Sequence, residues 1–138
     1  MVTYWDASAL IPLLVKEATS ELHRRIARQT GIVTWWGSFV ECASAIARKE
    51  REGSAPAQIA ESRRLLDALS REWREIGQSE QLRRAALRVL RAHALRASDA
   101  LHVGAALVAS GFEPHSVRFR TEDRRLKVAA EREGFLVD

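Results

Sequence analysis

The chain has 138 residues, 46% of them hydrophobic and only three of them proline, the size and composition of one globular domain and unlike a disordered chain. No run nears the roughly 18 apolar residues of a membrane span, Met1 leads into a short apolar strand without a signal-peptide pattern, and a lone cysteine, Cys42, excludes an internal disulfide framework and suits a reducing cytoplasm. The net charge is +4, and of 22 basic side chains only Lys16, Lys49 and Lys127 are lysine. Such arginine-rich charge leans toward a phosphate-bearing partner, although arginine interleaved with glutamate, as in ESRRLLDALSREWRE, also simply solvates helix faces.

In chain order, VTYW (2–5) is strand-like and stops at Asp6, residues 8–14 predict a short helix, and 18–29 a second, amphipathic one. GIVTW (31–35) is a second strand, and Ser38 opens a helix to Arg51 that Gly53 closes. Residues 55–72 carry apolar positions near a 3.6 period, REI (74–76) is a minimal strand, and Ser79 caps a helix to His93. SDALHVGAALVAS (98–110) reads as a helix apolar on nearly every face and buried on most sides. VRFRT (117–121) is a strand, 122–133 a helix, and FLV (135–137) a last strand after Gly134. Short strands alternating with helices imply an α/β fold, a small and mostly parallel sheet covered by helices on both faces. No linker, repeat or low-complexity tract interrupts residues 1–138, which are read as a single domain.

Right-handed crossovers put helix N-termini and strand C-termini on one edge of such a sheet, the edge where ligands bind. Four acids fall there, each with a local explanation. Asp6 ends the first strand and suits a helix N-cap. Glu41 stands three residues after Ser38, the spacing of a capping box. Asp99 lies near a helix N-terminus, where the macrodipole tolerates a carboxylate. Asp123 fits a first-turn acid behind a Thr121 cap, or an ion pair with Arg124 or Arg125. The local explanations do not predict the shared edge. Converging carboxylates at about 4 Å repel by roughly 4 kcal/mol at an effective dielectric near 20, so such a cluster needs protons or a cation. Oxygen-only ligands suit Mg²⁺ or Mn²⁺.

YWDASAL, SFVECASAIAR, ASDALHVGAAL and FRTEDRRLKVAAEREGF, in this order and spanning nearly the whole chain, resemble the PIN-domain ribonucleases, most closely the VapC toxins of toxin–antitoxin pairs. The resemblance implies a three-layer α/β/α PIN-like domain with Asp6, Glu41 and Asp99 as the central acidic triad and Asp123 at a fourth, more variable acidic position. Ser8 and Thr121 match small hydroxylic positions that support the site. The implied activity is Mg²⁺-dependent endoribonuclease cleavage, with Mn²⁺ as a substitute, in a cytoplasmic homodimer silenced by a VapB-like antitoxin. Departures from the pattern are Ala7 for threonine, Gly104 for alanine, and the extra acid Glu122.

Other residues favour blander readings. His102, one turn beyond Asp99 and within hydrogen-bonding reach of it, is read as a buried, satisfied histidine rather than a base. Cys42 packs, and Trp35, Trp36 and Phe39 form core or a partner surface. Histidine spacing for zinc and a glycine-rich phosphate loop are absent, and a phosphotransferase with an aspartyl nucleophile would want an acid where Ser8 stands. The alternative to a nuclease is a catalytically silent PIN-like module that binds RNA or protein.

Overall fold

Tyr4 and Trp5 are both fully buried, yet they point into different cores, and that alternation organises the molecule. The structure, a computed structural model, describes all 138 residues. Four short strands, β1 (Val2–Trp5), β2 (Val33–Trp35), β3 (Arg74–Ile76) and β4 (Val117–Arg120), form one parallel sheet in the order β3-β2-β1-β4. Helices α1 (Ala7–Leu10), α2 (Ser20–Thr30), α3 (Ser38–Arg51), α4 (Pro56–Glu72), α5 (Glu80–Ala92), α6 (Ala97–Ala109) and α7 (Arg124–Glu133) complete a three-layer α/β/α fold. On one side Trp5 packs with Leu10, Cys42, Ile46, Leu66 and Trp73. On the other, Tyr4 and Phe119 pack with Val89, Val103, Ala106 and Leu126.

The strand order dictates where a site belongs. The chain builds outward from β1 through β2 to β3, then returns past β1 to set β4 on its far side. A crevice therefore opens beyond the carboxyl ends of β1 and β4, the switch point of the sheet. Register runs from Val2 opposite Val117 to Trp5 opposite Arg120, and the Asp6 N–H extends the pairing by donating to the Arg120 carbonyl at 3.1 Å.

Most element ends fall within two residues of the sequence expectation, for local reasons. Ser79 caps α5 by accepting from Leu82 N–H at 3.0 Å, and Gly134 ends α7 in the left-handed conformation at φ 103°. Two expectations need correction. The helix over 8–14 is α1 followed by a 3₁₀ turn, Ile11–Leu13, in which Pro12 supplies no N–H to an α ladder. The strand over 135–137 is only an isolated bridge between Arg118 and Leu136, because beyond α7 just one residue pairs before the chain ends. No helix is long and apolar enough to cross a membrane.

The extensively buried α6 lies hard against α5, and Gly104 permits it: a Cβ there would sit 3.0 Å from the Ala86 amide nitrogen and 3.2 Å from Leu82 Cδ1. Gly104→Ala should therefore lose stability. Its gain in helix propensity, about 1 kcal/mol, is outweighed by overpacking of roughly 1–3 kcal/mol against a backbone atom that cannot swing aside. A chemical-denaturation midpoint at or above that of the wild type would refute this.

Candidate active site at the switch point of the sheet

Asp6 sits where β1 passes into α1, 3% exposed. It does cap the helix, its Oδ1 accepting from Ala9 N–H at 3.0 Å. The same carboxylate accepts from the Ser8 hydroxyl at 2.8 Å and from the Thr121 hydroxyl at 2.6 Å. No lysine, arginine or protonated histidine pairs with it. Burial pushes its pKa up, against the opposing pull of His102, the two hydroxyls and the Ala9 amide. A carboxylate so placed is stable as an anion only at a cost, and a bound cation would remove that cost.

Thr121 joins this group to β4. Its Oγ1 donates to Asp6 and accepts from Asp123 N–H at 3.0 Å, while Ser8 Oγ accepts from Glu122 N–H at 2.8 Å. The loop after β4 is thus tied to the loop after β1 through two hydroxyls. Ser8 and Thr121 stand beside Asp6, where the sequence put them.

Asp123, expected inside the first turn behind a Thr121 cap, is itself the N-cap of α7. Its Oδ1 accepts from Arg125 N–H at 2.8 Å and Leu126 N–H at 3.1 Å. The helix begins later than expected: Thr121 Oγ1 accepts from no backbone amide but Asp123 N–H, two residues on, and Asp123 takes the first free amides of the helix. Asp123 pairs with neither Arg124 nor Arg125 as an ion pair; instead these arginines, Asp99, Asp123, Arg96 and Val128 line an open groove of about 630 Å³. Asp99 enters from the first turn of α6, its side chain 15% exposed, with Arg96 Nε loosely alongside at 3.9 Å.

Glu41 departs furthest from its local explanation. Ser38 is not a cap: Gly37 precedes α3, and Ser38 is buried with its hydroxyl 2.6 Å from that of Thr34. With no capping box to complete, the Glu41 carboxylate crosses to α6 and accepts from His102 Nε2–H at 2.8 Å. The expected His102–Asp99 bond is replaced by this one. The other imidazole nitrogen, Nδ1, lies 2.9 Å from the Tyr4 hydroxyl. Helical spacing put His102 on the face of Asp99 but could not reveal which element that face meets.

The structure thus brings Asp99 and Asp123 into one groove, sets Asp6 beside Asp123 through Thr121, and ties Glu41 to the turn of α6 that follows Asp99. Asp6 and Glu41 share neighbours as well. Burial is the first cause that raises the Tyr4 and Cys42 pKa values, and both acids add to each; Cys42 is pushed up to about 12, which leaves it an inert packing residue. Glu122 turns away from the four acids to pair with buried His23, a partner the sequence did not suggest.

As donors, four carboxylates with flanking hydroxyls suit a hard divalent cation. Their spacing is looser than a finished site: no group of three or more His, Cys, Asp or Glu side chains is arranged to hold a metal ion. The donor types therefore fit Mg²⁺ or Mn²⁺. A cation would have to draw in Glu41 and Asp99, whose side chains are 33% and 15% exposed.

No family model matches the chain, and no curated protein matches it. Among solved structures, the crystal structure of PAE2754 from Pyrobaculum aerophilum is similar, with a TM-score of 0.72 and 20% sequence identity, over 99% of this chain and 83% of that one. At that identity the likeness shows the fold.

Proposed function

We propose that the protein is a metal-dependent endoribonuclease of the PIN-domain, VapC-like kind, acting in the cytoplasm as the toxin of a toxin–antitoxin pair. The observation that carries this reading is the pairing of opposites at the switch point. Carboxylates with no cationic partner for Asp6 adjoin a groove whose rim is Arg96, Arg124 and Arg125. Arginine forks on a rim suit the phosphates of a nucleic-acid backbone. Asp99 and Asp123 in the same groove would repel those phosphates unless a cation lay between.

In this reading Asp6, Glu41, Asp99 and Asp123 hold Mg²⁺, or Mn²⁺ in its place. When bound, the cation polarises a phosphoryl oxygen and lowers the pKa of coordinated water. The chain's own groups do the rest. Ser8 and Thr121 fix the plane of the Asp6 carboxylate. The α7 N-terminus holds Asp123 Oδ1 by two amides and leaves Oδ2 out of the cap. The arginines orient the phosphodiester. Partners belonging to the same proposal are a second copy of the chain and a VapB-like antitoxin.

A catalytically silent module that binds RNA or protein is the second reading, favoured by the looseness of the four acids. Cleavage decides between them. Purified protein free of antitoxin, incubated with total cellular RNA, should give discrete fragments with Mg²⁺ or Mn²⁺, none with chelator, and none from Asp99→Asn. Intact RNA under all conditions would overturn the nuclease. Arg124→Ala and Arg125→Ala should each weaken RNA binding across sequences and flatten the salt dependence by roughly 0.7 in log–log slope per lost phosphate contact. An unchanged slope would remove the arginines from the substrate path.

A further inference from the structure

The geometry points to His102 as a positioning residue that aims Glu41, with Tyr4 as its anchor. This rests on the reading of Glu41 as a site acid. His102 is 2% exposed and Tyr4 fully buried, so neither touches substrate. Two hydrogen bonds join Tyr4, His102 and Glu41 in one chain. An ionised Glu41 only accepts, so His102 must donate through Nε2–H. Nδ1 lies 2.9 Å from the Tyr4 hydroxyl and, in the neutral imidazole that donates from Nε2, accepts from it. The Thr34 hydroxyl spends its proton on the Trp5 carbonyl at 2.7 Å and so does not donate to the Tyr4 oxygen.

Any buried histidine needs its nitrogens satisfied, but here one of the two partners is a part-exposed carboxylate of the candidate site. Here the ring is held edge-on to Tyr4 and Trp35, with centroids 6.0 and 6.4 Å apart and interplanar angles of 73° and 82°. It therefore delivers a rigid N–H to a long, part-exposed carboxylate from another helix. Free glutamate rotamers cost about 1.5–2 kcal/mol to fix. The bond from His102 fixes Glu41 Oε1 in advance and leaves Oε2 free of any side-chain hydrogen bond. Such a histidine sets the orientation of its carboxylate partner in the way outer residues support a metal ligand.

Two measurements test this role. In ¹⁵N-labelled protein without added metal, long-range proton–nitrogen correlation should find the His102 proton on Nε2 and Nδ1 bare. Glu41→Gln should shift the Nε2 signal and Tyr4→Phe the Nδ1 signal. A proton on Nδ1 with a bare Nε2 would overturn the arrangement. In cleavage assays, His102→Leu should lower kcat about 10–100-fold with KM within about two-fold, the scale of outer-residue effects. His102→Gln, whose amide can still donate to Glu41, should recover most of the loss. Tyr4→Phe, which keeps the shape of the core should His102→Leu not fold, should lower kcat several-fold. A folded His102→Leu or Tyr4→Phe with wild-type kcat would overturn the positioning role while the nuclease stood. A wild type that cuts no RNA would remove both, whatever the imidazole signals report.

Discussion

Asp6→Asn should melt higher than the wild type in metal-free buffer at neutral pH, and should cut RNA at least about 100-fold more slowly. The two changes have one cause. Burial lifts the Asp6 pKa, so the folded chain binds this proton more tightly than the unfolded chain does. Stability contributed by the group is then complete below the usual carboxylate range and declines as pH rises through that range toward the raised folded value. Ionised, Asp6 is a buried anion held by two hydroxyls and an amide and by no ion pair. Asparagine removes the charge and keeps the bonds. Its amide can donate to Thr121, Thr121 to Ser8, and Ser8 back to the asparagine carbonyl, which also accepts from Ala9 N–H, along the 2.6, 3.1, 2.8 and 3.0 Å contacts already present. The gain should be on the order of 1 kcal/mol, a few degrees in Tm. It should shrink as pH falls below the carboxylate range, where the wild type is neutral as well. A lower Tm for Asp6→Asn at every pH would mean the carboxylate is there for the fold. Higher stability with lost activity is the mark of a group retained for chemistry.

Trp5→Ala should be the most damaging single truncation in the sheet. The side chain is fully buried between the β1 end and the α1–α3 layer, with the Arg120 guanidinium 5.4 Å from its ring centroid and the His23 ring at 5.7 Å. Truncating a buried tryptophan costs about 3–5 kcal/mol, a large share of the roughly 5–15 kcal/mol of a typical domain. Calorimetry should find Tm lower by about 10 °C or more. Trp5→Phe should cost much less, because the indole N–H has no hydrogen-bond partner to lose. A small effect from the alanine variant would place the centre of this core elsewhere. Trp5 also precedes Asp6, so the damage should reach the site.

The layers were legible because short strands alternate with helices and the helix over 98–110 is apolar on nearly every face. The shared edge of the four acids followed from parallel topology alone. Their partners did not follow. Ser38 and Glu41 have the spacing of a capping box, but tertiary contacts claim both, Thr34 taking the hydroxyl and His102 the carboxylate. Thr121 and Asp123 are both good caps; Asp123 takes that place, and Thr121 also donates to Asp6, 115 residues away, a contact with no local signal. The bonds of His102 to Tyr4 and Glu41 span 98 and 61 residues and leave no local periodic trace. Glu122 looked like a spare site acid until buried His23 supplied its partner.

Thermal melting with and without Mn²⁺ would examine the cation site itself, apart from any choice of RNA. At a free concentration about 100 times the dissociation constant, a cation bound only by the folded state adds about 2.7 kcal/mol. Millimolar Mn²⁺ should therefore raise the wild-type Tm by several degrees, and Asp99→Asn, which leaves the fold intact, should lose most of that rise. Superimposable curves with and without Mn²⁺ in the wild type would contradict a cation site at these four acids.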